Sequence, residues 1–107
     1  MDINEYQELI KRTERNAPDK EKLIEYTFGV VGETGEVVDL LKKEIFHGHE
    51  VPIEKYMEEI GDAFWYLCNI ANLKEIKMSD VLKQNIKKTH IRYPNGFSTE
   101  DSIKRIK

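Results

Sequence analysis

Two short acidic runs carry the most chemical information in this sequence: Glu33-Thr34-Gly35-Glu36 and Glu59-Ile60-Gly61-Asp62. In each, two carboxylates stand three residues apart. On an α-helix that spacing puts them on neighbouring ridges of one face, where they can converge on a single ion. Glu33 falls beside Tyr26, Val37 and Leu40, and Glu59 among Tyr56, Ala63, Tyr66 and Ile70, so both sit at the edge of an apolar stripe. A carboxylate withdrawn from water costs roughly several kcal/mol, and four facing one another also repel. Cations among them would offset both effects, and hard oxygen ligands of this kind suit Mg²⁺, with Mn²⁺ as a possible substitute. One such pair in a chain with 20 acidic residues is ordinary solvated surface. Two pairs, each at a core edge and each with an inner glycine, point instead to a metal site.

The elements that must hold these acids are helical. Ile3, Tyr6, Leu9 and Ile10 recur at helical spacing after a cap at Asp2 or Asn4, and predict a first helix to about Asn16, where Ala17-Pro18 interrupts it. Pro18-Asp19 opens a second helix, with Leu23, Tyr26, Val30, Val37, Leu41 and Ile45 on one stripe, ending near His47-Gly48-His49. After Val51-Pro52, the stripe of Ile53, Tyr56, Ile60, Ala63, Leu67, Ile70 and Ala71 predicts a third helix to about Leu73. Ser79-Asp80 reads as the cap of a fourth, running to Thr89 or Ile91. Tyr93-Pro94-Asn95-Gly96 is turn chemistry, and residues 97–107 read as a polar tail or a frayed short helix. No segment alternates as a half-buried strand does. The expectation is therefore an all-α, four-helix-bundle-like single domain over residues 1–107, with its core at about 3–92.

The two acidic runs superimpose at an offset of 26 residues, and Leu40-Leu41 then match Tyr66-Leu67. Each run keeps a glycine inside a helix at a cost of roughly 1 kcal/mol relative to alanine, so close approach of a backbone or a ligand is expected there. With 17 basic and 20 acidic residues, a formal charge of -3 and no block of like charge, the chain lacks the footprint of a duplex DNA binder. The lone Cys68 excludes a disulfide framework and reads as buried filler. The first residues lack the basic and apolar regions of a signal peptide and no run is long enough to span a membrane, so a cytoplasmic location is expected. A di-iron bundle would need Glu-x-x-His motifs, which neither acidic pair supplies. His47 and His49 read as exposed loop residues.

With these residues in view, the chain resembles the MazG-like family of all-alpha nucleoside triphosphate pyrophosphohydrolases. The family signature is ExxE followed, after a spacer, by ExxD, and here 22 residues separate the two motifs. The resemblance extends through Asp62-Ala63-Phe64-Trp65-Tyr66-Leu67 and through Asn85 to Phe97, whose Arg92-Tyr93-Pro94-Asn95-Gly96-Phe97 is similar to a downstream family segment. It implies Mg²⁺-dependent cleavage of an NTP or dNTP to the monophosphate and pyrophosphate. It also implies a homodimer or homotetramer, while the charge pattern and the lack of a long apolar run leave no expected part for polymeric nucleic acid or membrane. By the same resemblance Glu33, Glu36, Glu59 and Asp62 are metal ligands, with Glu36 first and Glu33 second as the acid that activates water. Lys55, Lys88 and Arg92 match phosphate-binding positions, Asn85 lines that site, and Trp65 is a candidate for base stacking. Two alternatives stay open: a non-catalytic helical dimerisation module with the acids as its polar rim, and a related phosphoribosyl-ATP pyrophosphohydrolase.

Overall fold

A computed structural model describes residues 1–105. Its helices are α1 (Ile3–Ile10), α2 (Asp19–Phe46), α3 (Ile53–Leu73), α4 (Met78–Arg92) and α5 (Thr99–Lys104), and the described residues contain no strand. The all-α reading holds, and α3 spans the residues its periodicity predicts. α1 opens as a capping box: the Glu5 N–H donates to Asp2 Oδ1 at 2.9 Å while the Glu5 side chain accepts the Asp2 N–H at 3.5 Å. It ends sooner than expected, at Ile10, in a 3-10 turn over Lys11–Thr13. The Thr13 hydroxyl takes the Ile10 carbonyl at 3.0 Å, and Glu14 then turns extended.

Two further boundaries differ from the sequence reading. α4 begins at Met78, and Ser79 does not cap it. The cap comes from α1: Gln7 Oε1 accepts the Met78 N–H at 2.7 Å. The Gln7 amide donates to Asn72 Oδ1 at 3.1 Å and to the Ile76 carbonyl at 3.0 Å, and the Asn72 amide donates back to the Gln7 carbonyl at 3.0 Å. A buried polar side chain with every group paired thus joins α1 to the end of α3 and the start of α4. At the other end, the expected turn forms with Gly96 at φ +87° and its N–H on the Tyr93 carbonyl at 3.2 Å. The tail beyond it makes the short helix α5, where Ser98 Oγ accepts the Asp101 N–H at 3.0 Å. Residues 106 and 107 of that expected tail lie outside the described residues.

α2 and α3 pack along their length as a helical hairpin. Tyr26, almost fully buried, meets Trp65 edge-on at 5.9 Å and Tyr66 at 6.1 Å between ring centroids. The close approach predicted at Gly35 and Gly61 occurs elsewhere: a Cβ on either would meet nothing, whereas one on Gly29 would run into the Tyr66 ring. Trp65 stands at right angles to Tyr66, centroids 5.0 Å apart, and limits how far that ring can give. Gly29→Ala should therefore destabilise the fold by about 1–3 kcal/mol in chemical denaturation, against a gain of roughly 1 kcal/mol in helix propensity that a bare exposed site would show. A second cluster joins Ile10, Cys68, Ala71 and Met78, with Ile3, Tyr6, Phe64 and Trp65 around it. Cys68 is filler there, its thiol pushed up to about 11 by burial.

The single stripe read along each long helix proves to be two. Leu41, Ile45, Ile60 and Leu67, expected in the core, are 44–68% exposed. On α2 Ile45 closes a heptad with Ile24, Val31 and Val38, and on α3 Ile60 and Leu67 continue one from Ile53 with Met57 beside it, all eight at least 47% exposed. At 100° per residue both rows stand about 120° past the face that each helix packs on the other. In an antiparallel pair that offset leads to the same side of the hairpin. The radius of gyration of 17.1 Å, against about 13 Å for a compact chain of this size, reflects the same openness.

Candidate metal centre

The acids lie along the seam of the hairpin, Glu33 seven residues from both Tyr26 and Leu40 and Glu59 seven residues before Tyr66. The pairing of α2 with α3 brings one carboxylate oxygen each of Glu33, Glu59 and Asp62 to within 4.8 Å of one another. They form a gradient, with Glu59 buried, Glu33 half-buried and Asp62 exposed. Glu33 is pushed above the ordinary carboxylate value, first by desolvation and then by the Asp62 charge, a hydrogen bond with Glu59 and the charges of Glu59 and Glu36. Folding therefore works against full ionisation of the group, and a cation would relieve it. Three carboxylates without histidine or cysteine are a donor set for a hard divalent ion. Opposite ligands of Mg²⁺ lie about 4.2 Å apart, so the trio fits one such ion with a small closure or a bridging water.

The other residues singled out from sequence fall into three groups. Glu36 stands one ridge away on α2 and is not in the trio, though its charge is felt by Glu33 and by Lys43. Lys55 is at the trio: its Nζ lies 3.2 Å from Glu59 Oε1 and 3.3 Å from Glu58 Oε2. Trp65 packs against both Tyr26 and Tyr66 in the hairpin. Asn85, Lys88 and Arg92 are on α4, which leans on α1, and among the described residues no hydrogen bond or ion pair joins them to the acids. Lys43, which sequence reasoning passed over, pairs with Asp39 at 2.9 Å and stands near both Glu36 and Lys55. Its position seven residues after Glu36, on the same ridge, was the available signal.

Residues 19–97, from the start of α2 to beyond α4 and including all four motif acids, match the family model of the MazG nucleotide pyrophosphohydrolase domain. The chain belongs to the MazG family. It is also 31% identical over 74 residues to the Gene 37 protein of Mycobacterium phage L5, across 65% of this chain and 65% of that protein. The match thus spans a little under two thirds of the phage relative's length. No solved structure gives a significant match. All three members of the trio lie within the matched MazG domain. No helix of the described residues is long and apolar enough to cross a membrane.

Proposed function

We propose that this MazG protein hydrolyses a nucleoside triphosphate, NTP or dNTP, to the monophosphate and pyrophosphate with the help of Mg²⁺. The observation that carries the reading is the convergence of Glu33, Glu59 and Asp62, from two helices, within the matched MazG domain. Bound there, the metal would draw in phosphate oxygens, screen the acids from the triphosphate and acidify water. Glu33, Glu59 and Asp62 would hold it. Glu36, outside the trio and adjacent to it, is free to orient a water molecule and accept its proton. Attack of that water on the α-phosphorus forms one P–O bond and breaks the bond to the β-phosphate, so the leaving group is pyrophosphate. Lys55 stands where it can meet phosphate charge, and we assign Lys88, Arg92 and Asn85 to the same substrate, with Trp65 shaping the wall behind it.

The active form we propose is a homodimer or a homotetramer, in the cytoplasm, with two hairpins meeting through the rows of Ile24, Val31, Val38 and Ile45 and of Ile53, Met57, Ile60 and Leu67. Helices of this length present an apolar face of roughly 700 Å², close to the ~800 Å² per partner of a standard interface. Gly35 lies on that face beside Val31 and Val38, which would give its lost helix propensity a use in close backbone approach. An assembly also offers α4 a route to the acids of a neighbouring chain.

The test is release of pyrophosphate and orthophosphate from a panel of NTPs and dNTPs, with Mg²⁺ and with chelator. Pyrophosphate alone, lost on chelation, is expected. Orthophosphate as first product would move the cleaved bond, and no release of either would favour the dimerisation module.

A further inference from the structure

Lys55 occupies an unusual place for a lysine. It lies in the first turn of α3, where the exposed N–H groups and the helix dipole disfavour a cation. It also precedes its partner Glu59 by four residues, the weaker order for a helical ion pair. What holds its ammonium is the carboxylates, through a fork with one oxygen of Glu59 at 3.2 Å and one of Glu58 at 3.3 Å. The two arms differ in kind. Glu59 is 9% exposed at its side chain and belongs to the trio, whereas Glu58 is 60% exposed and stands outside it. Lys43 adds a repulsive charge nearby.

We propose that Lys55 is a built-in rival of the divalent ion for Glu59, so that metal entry displaces this ammonium and frees it for the substrate. This rests on the metal-centre reading above. A divalent ion brings twice the charge to about 2.1 Å from an oxygen, against 3.2 Å for the ammonium, so it wins the contest while Lys55 lowers its net affinity. The displaced side chain keeps Glu58 as a resting place, and its four-carbon stem leaves the ammonium free to reach an incoming phosphate. An arrangement of this kind favours tight metal binding only when an anion is present to receive the lysine.

Calorimetric titration of Mg²⁺ and then of inorganic pyrophosphate into the wild type, Lys55→Met and Glu59→Gln tests the idea. Lys55 is half-exposed, so the Met variant keeps the α3 core. It should bind Mg²⁺ about fivefold tighter than wild type, while its Mg²⁺-loaded form binds pyrophosphate more weakly. Mg²⁺ affinity unchanged or weaker in Lys55→Met, with wild-type binding lost in Glu59→Gln, would overturn the rivalry and leave the metal centre standing. Wild-type Mg²⁺ binding that survives Glu59→Gln would remove the metal centre and this inference with it.

Discussion

Glu59→Gln should abolish divalent-ion binding and lower pyrophosphate release by about a thousandfold or more, with the helices intact. Glu59 is the buried member of the trio, and an amide there keeps its shape but removes the charge that the proposed metal centre needs. Loss of metal assistance to phosphoryl chemistry is worth several kcal/mol, and each ~1.4 kcal/mol is tenfold in rate. Product assays, calorimetry and circular dichroism together check the three parts of this expectation. Glu33→Gln should cost activity similarly but differ in stability. Because the folded chain holds the Glu33 proton more tightly than the unfolded one, ionisation of Glu33 as pH rises through its raised value lowers stability. Replacing it by the amide should raise the melting temperature in chelator at pH 7 by about a few degrees, a gain that disappears in acid, where both states are protonated. Full turnover in either variant would remove that acid from the site.

The second large effect concerns assembly. Val31→Glu and Val38→Glu each place a charge in the middle of the exposed heptad row of α2. In a two-fold interface the charge enters twice, and like charges buried without partners cost several kcal/mol, enough to weaken a dimer by about a thousandfold. Sedimentation should show the wild type self-associated and each variant monomeric at the same concentration. The monomer should keep its helicity, because neither valine is used inside the chain. A wild type that sediments as a monomer at about 100 μM would exclude this face as the interface.

Most of the architecture was legible because its signals are local. Pro18-Asp19, Val51-Pro52 and Asn95-Gly96 punctuate the chain, and the α3 periodicity gave both its ends. The spacing of Glu33, Glu59 and Asp62 likewise needed only helical geometry. What failed depended on contacts distant in sequence. The α4 cap comes from Gln7, 71 residues earlier, so the local Ser79-Asp80 signal misplaces the start of the helix. The two acidic runs drew attention to Gly35 and Gly61, yet the glycine that another side chain crowds is Gly29, a fact set by where Tyr66 falls in the hairpin register. Apolar residues were assigned to one core-facing stripe, although Ile24, Val31, Val38 and Ile45 repeat every seven residues and mark a second. Hydrophobicity shows that a face is to be covered and not by which chain. The distinction between Glu36 and the trio is finer still, since the i, i+3 spacing is the same in both acidic runs.

The Gln7 junction bears on how the chain comes apart. The helix carrying Asn85, Lys88 and Arg92 is anchored through α1, which lies wholly before the MazG match at residues 19–97. α1 and the start of α4 are therefore expected to open together: fraying of the first ten residues exposes the amide that starts α4, while the hairpin bearing the acids can stay closed. A chain trimmed to the matched segment would keep every acid of the two motifs and lose the hold on its own basic helix.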